Sequence, residues 1–340
     1  MIGYYVHHHG RGHLRRACAI AARLGVPITG ISSLARPEGW PGQWLQLERD
    51  DVSGHGRSET ADGRLHWAPK HDAGLRHRMA KIAAWIDRTA PDAMVVDVSV
   101  EVALFARLHG VPVVSIALPG VRSDHAHRLG FDVSDAIIGA WPEWAMGMLR
   151  VDTADTPGAG PVAQPLAGKL FAVGAISVQA NSPGRTPASI HRVVVLGGGG
   201  GGGMREPEIR AARAQTPGVE WIEVGTSADN WSPNPADWLR RASMVVSHAG
   251  QGAVADIAAV GVPALVVPQE RPFREQIMTA HTLSRADGLP VMVANSFARN
   301  DWAHLLERAG QLDGRNWKSW NDGYGADRAA AVIRDIAGKS

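Results

Sequence analysis

The sequence predicts a two-domain α/β protein built on parallel sheets, and three observations carry that reading. Apolar runs of strand length alternate with amphipathic segments of helix length along the whole chain. The 340 residues exceed the span of one ordinary domain, about 100–200 residues. Between 151 and 189 the composition shifts to Pro, Gly, Ala, Ser and Thr, the texture of a domain junction.

The elements follow in order. Residues 1–6 read as a first strand, and Leu14, Ala17, Cys18, Ala21 and Leu24 then recur at helical spacing, with Arg15, Arg16 and Arg23 on the other face. Residues 38–73 lack periodicity and read as a long irregular connection. Leu75, Met79, Ile82, Ala83 and Ile86 mark a helix that ends before Pro91, and 93–96, 111–117 and 135–139 read as buried strands. Strands at 191–196, 219–224, 243–247 and 263–267 restart the alternation, with helices near 205–215, 251–260, 274–286, 299–309 and 326–337. The expected division is a first domain over 1–175, a linker over 176–190, a second domain over 191–322 and a terminal segment over 323–340.

Composition narrows the function. A net charge of +2 with no long run of one sign argues against a nucleic-acid partner. A single cysteine, Cys18, excludes an internal disulfide framework and a Cys-based zinc site, as expected in a cytoplasmic protein. Gly10 to His13 interrupt the N-terminus before a signal-peptide core can form, and no apolar run is long enough to span a membrane. Two excesses stand out: 39 Gly, and 12 Trp against 5 Phe and 3 Tyr.

Three places carry chemistry. Gly10-Arg11-Gly12-His13 follows the first strand and opens a helix, where the positive end of the helix dipole keeps an imidazole neutral and basic, suited to a general base. A tight turn with a capping histidine is the alternative. His7, His8 and His9 invite a metal reading, but successive residues leaving a strand diverge, so no metal is expected. The run Gly197–Gly203, again after a strand, allows close main-chain approach to a diphosphate; a flexible linker is the plainer reading. The most specific place is Ser247-His248-Ala249-Gly250-Gln251-Gly252 with Asp256 and Glu275-Gln276: an imidazole beside a helix N-terminus, then carboxylate and amide groups at strand ends. Such an order suits a phosphate, a diol and further hydroxyls.

The stretch 247–276, SHAGQGAVADIAAVGVPALVVPQERPFREQ, resembles the donor-binding segment of glycosyltransferases with the GT-B fold, most closely glycosyltransferase family 28 and more distantly the UDP-glycosyltransferases. The resemblance implies two Rossmann-like domains facing a cleft, with the C-terminal helix returning to the first. It implies an inverting transfer of a hexose from a nucleoside-diphosphate sugar, UDP most of all, with no metal or other cofactor. Gly197, Gly198, Gly199, Gly200, His248, Ala249, Gly250, Gln251 and Gly252 would hold the diphosphate, Asp256 the ribose, Glu275 and Gln276 the sugar, and Thr226, after Val224, the base. His13 and Asp97 would carry catalysis, either as the base. Gly10, Arg11, Gly12, His125, Trp141 and Trp144 are acceptor-side candidates; the two tryptophans, with Met146 and Met148, suit an apolar acceptor or a membrane-facing patch, or else simply the core. The acceptor stays open between a lipid-linked molecule and a small glycoside, the location between cytoplasm and the inner membrane face. A nucleotide-sugar epimerase or hydrolase, and a noncatalytic nucleotide-sugar binder, are the alternatives; the epimerase would call on Glu101, Asp97 and Asp124.

Overall fold

The computed structural model describes residues 1–8, 11–51, 58–151, 166, 168–187, 189–198, 204–227, 229–232 and 235–339. The chain divides into two compact units, one formed by Met1–Glu143, Leu149–Val173 and Ala326–Ser340, the other by Trp144–Met148 and Gly174–Gly325.

The first unit runs β1 (Ile2–Val6), α1 (Arg11–Leu24), β2 (Ile28–Ser32), β3 (Gln43–Gln46), α2 (Ala73–Thr89), β4 (Ala93–Asp97), α3 (Val100–Leu108), β5 (Val113–Ala117), β6 (Gly120–Val121), α4 (His125–Val133), β7 (Ala136–Gly139), β8 (Leu149–Arg150) and β9 (Leu170–Ala172). Its main sheet is parallel in the order β3-β2-β1-β4-β5-β7-β9. Every residue of β1, β2, β4 and β5 is buried, as parallel strands covered on both faces must be. The segment 38–73, expected to be irregular, contains the edge strand β3, and β2 is a strand that periodicity did not mark.

Glycine and tryptophan excesses turn out to be coupled. A Cβ at Gly3, Gly30 or Gly139 would collide with the ring of Trp85, Trp44 or Trp141 respectively, so strand glycines make room for indoles against the sheet. Trp85 joins Tyr5, Ile82, Met94 and Val96 in the core.

The second unit runs β10 (Arg192–Leu196), α5 (Glu206–Gln215), β11 (Glu220–Val224), α6 (Ala236–Arg241), β12 (Met244–Ser247), α7 (Gln251–Val260), β13 (Ala264–Val266), α8 (Glu275–Ser284), β14 (Val291–Val293) and α9 (Trp302–Ala309), with a parallel sheet in the order β11-β10-β12-β13-β14. Trp221 and Trp302 meet edge to face, 5.1 Å between centroids, within its core. Residues 177–187, expected to be a linker, pack within this unit: Ser182 N–H donates to the Ala259 carbonyl at 2.8 Å and Arg185 N–H to that of Gly261 at 3.2 Å. The last helix, α10 (Gly325–Ala337), packs within the first unit, where Arg334 donates to the Arg23 carbonyl at 3.0 Å, at the end of α1. Among the described residues no helix is long and apolar enough to cross a membrane.

Candidate active site

In the first unit, β4 lies beside β1 and ends in Asp97, paired with Val6. His13 falls in the first turn of α1, and its Nδ1 lies 2.7 Å from Asp97 Oδ1. Arg16, one turn later, donates from Nε to Oδ2 at 3.1 Å and from Nη2 to Oδ1 at 2.6 Å. Asp97 is fully buried and Arg16 only 8% exposed. Burial pushes the Asp97 carboxyl up, but the charges of Arg16 and His13 outweigh it and hold the group at about 2. An ionised Asp97 accepts Nδ1–H from His13 and leaves the Nε2 lone pair available as a base. With both oxygens engaged in the interior, Asp97 orients the histidine. Arg16 clamps that carboxylate, correcting its reading as an outward-facing residue of the helix. Immediately after Asp97, Val98 holds φ at 62°, a left-handed conformation that is strained for a β-branched residue.

Next to this pair lies a cavity of about 210 Å³, lined by Tyr5, His7, His8, Asp50, Asp51, Trp67, Arg78, Ser99 and Glu101 among others. His7 connects the two places, its ring centroid 6.3 Å from that of His13. Glu101 is committed: Oε1 accepts from His66 N–H at 2.7 Å and Trp67 N–H at 3.0 Å, and Oε2 from the Ser99 hydroxyl at 2.9 Å.

Among the described residues two groups could converge on a cation, His66-Asp124-His127 and His8-Asp50-Asp51, each with ligand atoms within 4.8 Å of one another. In the first, His127 Nδ1 lies 2.6 Å from Asp124 Oδ2, but Arg122 lies 3.0 Å from its Nε2 and opposes a metal there. Burial and then Arg122 pull His127 down to about 4.

The acceptor-side candidates scatter. Trp141 is fully buried against Gly139, and Met148 is buried too. Trp144 is 49% exposed but belongs to the second unit, where its Nε1–H donates to the Ser319 carbonyl at 3.1 Å and its ring meets Trp320. Trp141 and Met148 therefore follow the core reading of this stretch and present no exposed apolar face. His125 is exposed at the start of α4, 3.3 Å from Arg64. Gly12 is exposed with open space around it, so that position does not require glycine. Gly10, the Arg11 side chain, Gly199 and Gly200 lie outside the described residues.

In the second unit, β10 and β12 are neighbours and deliver Gly197, Gly198 and His248 together. A Cβ at Gly198 would collide with His248 Nε2, and one at Gly250 with the other edge of the same ring. His248 Nδ1 accepts from the Gly250 N–H at 2.9 Å, so the neutral ring carries its proton on Nε2. Burial, with Arg271 nearby, holds His248 down at about 4. Ala249 is buried, while Gln251 and Gly252 open α7. Gln276 lies 3.3 Å from His248 and accepts from the Gln269 N–H at 2.9 Å; Glu275, half-buried, starts α8. Thr226 sits in a turn closed by Gly225 N–H to the Asn230 carbonyl at 2.8 Å and by Asn230 to Thr226 at 2.8 Å. Asp256, expected at the rim, is 3% exposed and accepts from the Ser177 hydroxyl at 2.6 Å. A diol there would have to displace Ser177.

Residues 219–299 match the family model of the glycosyltransferase family 28 C-terminal domain. No curated protein sequence matches the chain. Among solved structures, the glycotransferase of kitacinnamycin superposes with a TM-score of 0.66 at 16% identity, covering 99% of this chain and 98% of that one. UGT89C1 of Arabidopsis thaliana, solved with quercetin, gives 0.64 at 13% identity, with 99% and 98% covered. MurG of Acinetobacter baumannii gives 0.61 at 12% identity, with 98% and 99% covered. The chain thus has the GT-B fold of two Rossmann-like domains that these glycosyltransferases share.

Proposed function

We propose that the protein is an inverting glycosyltransferase that moves a hexose from a nucleoside-diphosphate sugar, a UDP-sugar first of all, to an acceptor hydroxyl without a metal. The observation that carries this reading is the His13–Asp97 pair at 2.7 Å, one nitrogen of the imidazole fixed by a buried carboxylate and the other left for a substrate proton. In the reaction His13 Nε2 takes the acceptor proton, the acceptor oxygen forms a bond to the anomeric carbon, and the bond from that carbon to the diphosphate oxygen breaks. The first N–H groups of α7 and the His248 Nε2–H suit the charge that grows on the leaving diphosphate. The solved relatives' ligands lend support, since UGT89C1 was solved with UDP-L-rhamnose and the spinosyn rhamnosyltransferase SpnG with thymidine diphosphate. An epimerase reading is disfavoured because Glu101 and Asp124 are already spent on main-chain and histidine partners.

The direct experiment is a thermal-shift screen of UDP, dTDP and GDP, where a ligand at 100 times its Kd adds about 2.7 kcal/mol of stability. Stabilisation by one of them that weakens in His248→Ala is expected. Failure of all three at millimolar concentration overturns the reading.

A further inference from the structure

We propose that the cavity lined by Asp50 and Asp51 is the acceptor pocket and that it selects a polyhydroxylated acceptor bearing an amine, over a neutral or an apolar one. This rests on the glycosyltransferase reading above.

Asp50 is 9% exposed, and its Oδ2 forms an ion pair with Arg78, itself 1% exposed. Arg78 also donates to the Tyr5 hydroxyl at 2.7 Å. The other oxygen of Asp50, Oδ1, accepts no hydrogen bond, with His8 Nε2 standing 3.9 Å away, although a buried carboxylate oxygen left without a close donor costs free energy. Asp51 completes the pair, 2.6 Å from Arg49 and 3.4 Å from His8 Nε2. The hydrogen bond from Arg49 keeps its carboxyl well below the usual carboxylate range. Asp50, Asp51 and Glu101 face Arg78 in the lining, and Arg49 pairs with Asp51 from beside it, which leaves one carboxylate in excess of the guanidinium groups. An ammonium or several hydroxyl donors satisfy that lining; an anion or a flat apolar molecule does not.

Size and place agree. About 210 Å³ admits one substituted six-membered ring, and Trp67, its indole fixed by donation to the Asp50 carbonyl at 3.0 Å, offers an aromatic wall. His7 lines the cavity and its ring stands 6.3 Å from that of His13, so a hydroxyl at this end of a bound ring comes within reach of the base. Leu75, Met79 and Val102 supply the remaining apolar floor.

Calorimetry on the full chain with D-glucosamine, D-glucose and p-nitrophenol tests the proposal. Glucosamine is expected to bind at least about tenfold tighter than glucose, the factor that 1.4 kcal/mol of extra ion pairing supplies. Asp50→Asn and Asp51→Asn are each expected to remove that preference while leaving UDP affinity unchanged. If loss of the partner of Arg78 unfolds Asp50→Asn, the more exposed Asp51→Asn decides. Equal binding of the two sugars, preference for the phenol, no binding of any probe, or a preference that survives Asp51→Asn overturns the proposal. Failure of UDP, dTDP and GDP alike to bind overturns the glycosyltransferase reading instead, whatever the sugars do, and with it the assignment of this cavity to an acceptor.

Discussion

The two units carry the same local device, a histidine where a helix follows a parallel strand, and wire it in opposite senses. In the first unit His13 lies within the helix and gives its Nδ1 proton to a buried carboxylate, which leaves a lone pair on Nε2. In the second His248 precedes the helix and accepts the Gly250 N–H on Nδ1, which leaves a proton on Nε2. One ring is thereby built to take a proton and the other to donate a hydrogen bond to an anion. What decides between them is the group each meets: Asp97 with Arg16 behind it, or the Gly250 N–H just ahead of α7.

The largest expected effect comes from breaking the first arrangement. Asp97→Asn reverses the hydrogen bond and holds the wrong tautomer of His13, and a loss of about 10⁴-fold in kcat is expected by analogy with the buried aspartate of serine proteases. Nucleotide binding, measured by calorimetry, should not change. A variant that retains a tenth of the turnover would show that His13 is not the base. Arg16→Met should leave Asp97 with half its partners in the interior, and truncating one member of a buried ion pair costs about 3–5 kcal/mol. Chemical denaturation reads this loss directly, and Arg16→Lys should restore part of it. Unchanged stability in the methionine variant would mean that the clamp seen here is not formed in solution.

The second arrangement should break more gently. His248→Ala removes one donor to an ionised phosphate, worth about 1.5–3 kcal/mol, or roughly tenfold to hundredfold in nucleoside diphosphate affinity. Gly198→Ala forces the ring aside without deleting it and should give a similar loss. If only the alanine at 248 weakens binding, the close approach of Gly198 has no part in it.

Sequence reading located both devices, because glycine and histidine after an apolar strand declare a turn whatever the tertiary context. It found the second unit's strands β10 to β13 from their apolar runs, and passed over β2, whose apolar run is interrupted by Gly30, and the three-residue β14. That glycine is explained only in three dimensions, by the indole of Trp44 above it. Arg16 was misread for a similar reason: helical spacing puts it on the charged face of α1, and nothing local reveals that Asp97, far along the chain, lies beneath it. Asp256 shows the converse limit. Its place one and a half turns into α7 suggests a rim, yet residues 254–260 of that helix are all buried, so the carboxylate is covered. Trp141, read as either an acceptor contact or a core residue, is in the core because Gly139 leaves room for its indole, which again only the folded sheet reveals.

The smallest effect separates the two histidines by acid titration. His248 and His127 sit at about 4 in the folded protein, each against an ordinary value of 6.5, because burial penalises the imidazolium. Between those values the unfolded chain binds more protons than the folded one, up to about one per histidine. Folding stability should therefore fall as pH drops from 6.5 toward 4 and gain no further loss from these groups below 4. Thermal unfolding across that window should show a shallower slope in His248→Gln, by up to about one proton. A bound nucleoside diphosphate should flatten the slope in the same way, since an anion against Nε2–H favours the charged ring and raises its pKa. His127→Gln should reduce the slope equally but leave the nucleotide effect intact, because its partners are Asp124 and Arg122 in the other unit. If the nucleotide flattens the slope in wild type and in His248→Gln alike, His248 is not the group that faces the diphosphate.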